Sequence, residues 1–147
     1  MLAEHWPFLV LIVFGIGMSA VCAGLETGLY TINRVRLRVR AGRGVRSAKR
    51  LVRELEHPER ALITLLIGNN VANYLGTLGV VGLLEYAGFG PWSVLGLNAV
   101  ILIPVLFIFA ETLPKDLFRT FTDRWTYSFA WSLGTARIGL TALGILP

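Results

Sequence analysis

The sequence has a single cysteine, Cys22, and only two histidines, His5 and His57, among its 147 residues. One thiol cannot form an intrachain disulfide, so cysteine usage says nothing about redox compartment. No nucleophile-base pair is present and both histidines stand outside the apolar segments, so an enzyme is not expected. Charge is also scarce. Charged residues make up 16% of the chain and hydrophobic residues 54%, and the mean hydropathy is +0.64. A soluble domain of this size is rarely so apolar, and a membrane protein is expected. Residues 1–7 contain Glu4 and no Lys or Arg, whereas a secretory signal needs a positive leading region. The apolar run ending near Cys22 therefore reads as a membrane helix, with Cys22 as a small buried side chain.

Three stretches, at about 8–32, 59–84 and 92–113, are long enough to cross the bilayer, since roughly 20 apolar residues span its ~30 Å core. A fourth, at about 125–146, has Trp125, Tyr127, Phe129 and Trp131 near its start and is interrupted by Arg137. Its length allows a span. Aromatic rings favour the headgroup level and Arg137 is costly at the bilayer centre, so an interfacial, juxtamembrane helix fits better. The expected fold is an all-α membrane protein, one unit over residues 1–147, with three transmembrane helices.

Basic residues are concentrated in one loop. Arg34, Arg36, Arg38, Arg40, Arg43, Arg46, Lys49, Arg50, Arg53 and Arg60 lie between the first two apolar segments, and residues 85–91 contain no Lys or Arg. The positive-inside rule places this loop in the cytoplasm, the N-terminus outside and, after three spans, the C-terminus inside. Localisation in the cell (inner or plasma) membrane follows. The loop has no aromatic residue for base stacking, so no nucleic-acid partner is expected, and membrane lipid accounts for the charge. Within the loop, residues 47–56 carry Ala48, Leu51, Val52 and Leu55 at helical spacing, which predicts a short amphipathic helix. Pro58 is expected to open the second span.

Polar residues inside the apolar runs are the candidate functional groups. Glu111 closes the third run, where a carboxylate costs about 2.5–3.5 kcal/mol on insertion scales and calls for a proton, a basic partner or a cation. Lys115, four residues on, is the competing local partner. In the first run Ser19, Cys22 or Ala23, and Glu26 share a face, flanked by Gly15, Gly17, Gly24 and Gly28. The glycines permit close helix packing or free backbone carbonyls for an ion. In the second run Gly68, Asn69, Asn70, Asn73 and Gly76 interrupt an aliphatic stretch. Interhelical hydrogen bonding is one reading for Asn69 and Asn73. A ligand role is favoured for Asn70, which lies about 18 Å along a helix starting at Pro58, near mid-membrane. Ser19 falls at a similar depth from the other side. Pro104 removes a backbone hydrogen bond and is a candidate hinge, with Phe107 and Glu111 at i+3 and i+7. Ser19, Asn70 and Glu111 form an oxygen-only set suited to hard cations over zinc or copper. Gly76, Gly79 and Gly82 offer one dimerisation surface and the Pro104 face another.

Three motifs in order, Gly24-Leu25-Glu26-Thr27-Gly28-Leu29 leading into a basic stretch, Ile67-Gly68-Asn69-Asn70, and Glu111-Thr112-Leu113-Pro114-Lys115, resemble the transmembrane domain of the CNNM/CorC magnesium transporters. The resemblance covers nearly the whole chain. It implies a homodimer with three membrane helices per subunit and a juxtamembrane helix that in the family leads to cytosolic CBS domains; residues 1–147 contain no such domain. It implies Mg2+ export coupled to Na+ entry, through a site opening to the cytosol. By motif, Asn70 and Glu111 fall on the family's cation ligands. Many members have a Ser three residues before the position of Glu26, where this chain has Ala23. Ser19, one turn earlier on the same face, supplies a hydroxyl in its place.

On this reading the metal ligands are Ser19, Asn70 and Glu111. Glu26, Gly68, Asn69 and Asn73 form the surrounding shell or a coupling-ion site. The alternative is a dimerising membrane anchor or sensor that binds a cation structurally without moving it. A pore is not expected, because the outer halves of the spans are too apolar and Gly-rich for a continuous polar path.

Overall fold

The computed structural model describes residues 5–142, which form helices joined by short turns, with no strand among them. In chain order these are α1 (Trp6–Thr31), α2 (Arg34–Gly42), α3 (Arg46–Leu55), α4 (Pro58–Tyr86), α5 (Pro91–Val105), a π-helical segment (Leu106–Thr112), α6 (Leu113–Thr120) and α7 (Thr122–Ala142). Proline opens the first helix of each long apolar stretch: α1, α4 and α5 all have one in the first turn. The missing N–H is tolerated there and the fixed φ already suits a helix. Gly44 and Gly88 adopt φ of 89° and 84°, in the α2–α3 and α4–α5 turns, a conformation glycine takes without steric cost.

Among the described residues, three helical stretches are long and apolar enough to cross a membrane: Trp6–Thr31, Pro58–Tyr86 and Pro91–Thr120. The third runs on to Thr120, well past the end of its apolar run near residue 113, because helix continues through Pro114 into α6. α7 is described as far as Ala142; residues 143–146 of the expected 125–146 segment lie outside the described residues.

The basic loop between α1 and α4 holds two helices. The expected amphipathic helix is α3, with Ala48 and Leu51 fully buried and Val52 and Leu55 packed beside them. The other, α2, is capped by Asn33, whose side chain accepts hydrogen bonds from the Val35 and Arg36 amides, both at 3.0 Å. An Asn cap satisfies two of the amides that a helix start leaves unpaired.

The main core lies at this end of the molecule. Leu25, Leu29 and Ile32 of α1 and its exit meet Leu37, Leu51, Ala61, Leu65, Phe118, Tyr127 and Leu133. Asp123 ties α7 to α2 through Arg36 and, at 3.5 Å, Arg40, and Arg40 also lies over the Tyr127 ring at 4.8 Å. Beside Asp123 the guanidinium of Arg36 is held above its ordinary pKa, first through the hydrogen bond and then through the charge.

α1 is the central helix, packed against α4 on one flank and against the π-helical segment, α6 and α7 on the other. Glycine makes both contacts possible. A Cβ on Gly15 would stand 2.6 Å from the Gly76 nitrogen and 2.7 Å from the Ala72 oxygen; one on Gly79 would stand 2.8 Å from the Phe8 oxygen. The opposite flank is equally close, with Gly24 against Phe118 and Gly28 against Thr126. Gly24 and Gly28 thus serve close packing. Gly76, Gly79 and Gly82, one of the surfaces expected for dimerisation, face α1 of the same chain.

Candidate functional site

Of the polar residues in the spans, the structure brings Ser19 of α1 and Asn69 of α4 into contact. Ser19 is fully buried, and its hydroxyl donates to Oδ1 of Asn69 on α4. The amide that reaches Ser19 is therefore Asn69. Asn70 lies on an exposed part of α4, where its Nδ2 donates to the Leu66 carbonyl at 2.9 Å. That bond directs the amide nitrogen back into its own helix and leaves Oδ1 as the outward acceptor. One turn further, Oδ1 of Asn73 is buried without a hydrogen-bond partner. Gly68 lets α4 approach Cys22, since a Cβ there would stand 3.0 Å from the sulfur.

The third span carries Glu111 on the π-helical segment. Pro104, inside α5, has no N–H to close the helical hydrogen bond to the carbonyl of Val100. Leu106–Thr112 then winds as a π-helix, and the Thr112 hydroxyl donates to the Phe107 carbonyl, five residues back, at 2.8 Å. Short π-helical segments are uncommon and concentrate at functional sites. The wider turn changes the angular step per residue, so the face expected from Pro104 through Phe107 to Glu111 does not continue in α-helical register. This segment packs on α1, with Glu111 partly buried and the preceding Ala110 fully buried.

Lys115 is directed to Glu26 of α1, at 3.9 Å. Among the described residues Glu111 makes no ion pair, so the local Glu111–Lys115 pair weighed from the sequence does not form. Both partners of the observed pair are nearly half exposed, at 44% and 46%, and such a contact contributes little stability. The described residues contain no cluster of three or more His, Cys, Asp or Glu side chains. A cation site in these spans would draw on a carboxylate and neutral oxygens, a donor set for hard ions.

Two further polar groups escaped the reading of the sequence. Asn98, in the middle of α5, has a buried Oδ1 without a hydrogen-bond partner; an amide inside an apolar run was the available signal. Thr126 of α7 is fully buried with its hydroxyl unpaired, against Gly28, and nothing in the sequence marks it.

Residues 10–145 match the family model described as the cyclin M (CNNM) transmembrane N-terminal domain. The chain is 38% identical over 123 residues to the UPF0053 inner membrane protein YfjD of Escherichia coli (strain K12), covering 82% of this chain and 28% of that protein. It is 34% identical over 112 residues to a UPF0053 protein of Haemophilus influenzae, covering 75% of this chain and 26% of the relative. The chain thus spans little more than a quarter of the length of these curated relatives. With three helices fit to cross a bilayer and a family match over almost its whole length, this multi-pass membrane protein belongs to the CNNM transmembrane-domain family.

Proposed function

We propose that this chain is a cation-translocating membrane domain whose cargo is Mg2+, moved outward in exchange for Na+. The observation that carries the reading is Glu111. Its carboxylate sits on a π-helical segment in the third span, and the nearest lysine in sequence, Lys115, is directed to Glu26. A carboxylate in hydrocarbon without a basic partner needs a proton or a cation. Hydroxyl and amide oxygens of Ser19, Asn69 and Asn70 lie on α1, which packs on the π-helical segment, and on α4, which packs on α1.

In this reading Mg2+ exchanges part of its water for the Glu111 carboxylate and neutral oxygens of Ser19 and Asn70. Asn69 holds the Ser19 hydroxyl in place, and Asn73 and Gly68 line the approach. Mg2+ accepts only near-octahedral oxygen geometry and loses water reluctantly, so a rigid site that keeps some water suits it. Glu26, half exposed and paired with Lys115, supplies further negative charge and is the candidate for the coupling ion. The break at Pro104 and the π-helical segment is where the third span can change shape during release. The basic loop faces the cytoplasm and the N-terminus lies outside. The working unit is a homodimer, as the family resemblance implies.

The test is Mg2+ titration of the purified chain in detergent, followed by calorimetry or thermal shift, with Ca2+ and Na+ as competitors. Saturable binding that is lost in Glu111→Gln and weakened in Asn70→Ala, together with Na+-dependent flux in liposomes, is the expected result. Binding without flux assigns the chain to a dimerising anchor that holds a cation structurally. Unchanged affinity in Glu111→Gln overturns the site.

A further inference from the structure

An elongated groove of about 690 Å³ runs between α1, α4 and α7. Val13, Gly17, Cys22, Leu65, Leu133 and Ala136 are among its walls, and its surface is almost entirely carbon. From Val13 to Leu25 it follows α1 for about 18 Å at ~1.5 Å per residue. That is a little more than half of the ~30 Å hydrocarbon core, the depth of one leaflet. On α4 its walls are Thr64, Leu65 and Gly68, in the half nearer the basic loop, and on α1 it straddles the midpoint of the helix.

A second cavity of about 390 Å³ adjoins it, lined by Arg50, Arg53 and Glu54 of α3 and Arg137 of α7. Trp131 and Thr135 form part of both cavities, so the apolar groove and the charged cavity share a wall. Glu54 is buried, 5% exposed, and pairs with Arg137 at 3.4 Å. Arg50 and Arg53, three residues apart on one face of α3, are exposed and make no ion pair among the described residues. Three guanidiniums against one carboxylate leave two positive charges at the end of an apolar channel.

We infer that this composite cavity binds an anionic phospholipid, with one acyl chain in the groove between α1, α4 and α7 and the phosphate at Arg50 and Arg53. Basic pockets beside membrane helices on the cytoplasmic side take such headgroups, and phosphate is well matched by arginine donors. Trp131, 55% exposed at the shared wall, sits where an indole ring meets the lipid interface. Glu54 holds Arg137 in place and keeps the charge at the headgroup end from collapsing into the groove. A second copy of the chain is the competing occupant. A twofold interface sets the same patch against itself, and one centred here brings two basic cavities together, which like-charge repulsion opposes. Lipid occupancy is independent of the cation reading.

The test uses the full chain in mild detergent, exposed to phosphatidylglycerol or phosphatidylcholine with the same acyl chains, with bound lipid counted by native mass spectrometry. Phosphatidylglycerol is expected to be retained preferentially, with retention falling about fivefold for each of Arg50→Gln and Arg53→Gln. Melting of both variants in lipid-free detergent is expected to stay unchanged. Gly17→Leu, at a position where a Cβ meets nothing within 4 Å, is expected to reduce both lipids equally by filling the groove. Equal retention of the two lipids, or no loss in the arginine variants, overturns the proposal. So does a Gly17→Leu variant that changes only self-association, which would give the groove to a second copy.

Discussion

Two side chains within the spans separate a structural role from a ligand role. Ser19 is fully buried and bonded across helices to Asn69, and such bonds inside membranes contribute about 0.6–1.7 kcal/mol. Ser19→Ala is expected to lower unfolding free energy in detergent by that amount, and to weaken Mg2+ binding only if its hydroxyl is a ligand; both are read from one thermal titration. Glu111→Gln removes charge without an ion pair to break, so stability without Mg2+ should hold while the Mg2+-induced rise in melting temperature disappears. Outside the spans, Tyr127 gives a pH signature. Burial raises its phenol pKa, and Arg40 offsets this in part. A raised folded-state pKa favours the neutral form, so its contribution is full below the usual phenol range and is lost as pH rises through the folded value. Alkaline melting curves should show this loss in the native chain and a smaller one in Tyr127→Phe.

At the scale of helices, the α1–α4 contact is limited by backbone. Gly15→Ala would place a methyl 2.6 Å from the Gly76 nitrogen, and overpacking of this kind costs about 1–3 kcal/mol. Gly17→Ala, two residues away, meets nothing within 4 Å and should be neutral or stabilising by up to about 1 kcal/mol from helix propensity. Comparing the two melting temperatures in one detergent checks the packing directly. The helices themselves were legible, because long apolar runs opened by Pro7, Pro58 and Pro91 have few alternatives. The cap that starts α2 was also written in Asn33, although ten basic residues in the loop drew the reading to charge. Partner choice was not legible. Spacing allows Lys115 to reach Glu111, and only the packing of α6 against α1 sends it to Glu26. Likewise Asn69 and Asn70 are adjacent and chemically identical, and the rotation of α4 on α1 decides which one meets Ser19. The π-helical segment was invisible to a reading that assumed 3.6 residues per turn; Pro104 marked only that something would bend.

For the whole molecule, charge distribution predicts orientation. In a Cys22→Ala background, Ser47→Cys in α3 should resist a membrane-impermeant thiol reagent added to intact cells, and Ala87→Cys in the α4–α5 turn, exposed in the structure, should react. The reverse pattern would invert the topology. The placement of α1 has a mechanical consequence as well. Backbone and aromatic side chains press on it from two flanks, through Gly15 and Gly79 toward α4 and through Gly24 and Gly28 toward Phe118 and Thr126. A rod held in such a sleeve has little freedom to roll or to swing outward, because either motion drives atoms already in contact into one another. The Ser19–Asn69 hydrogen bond fixes its height against α4 as well, so any rearrangement of one neighbouring helix is felt by the other through α1.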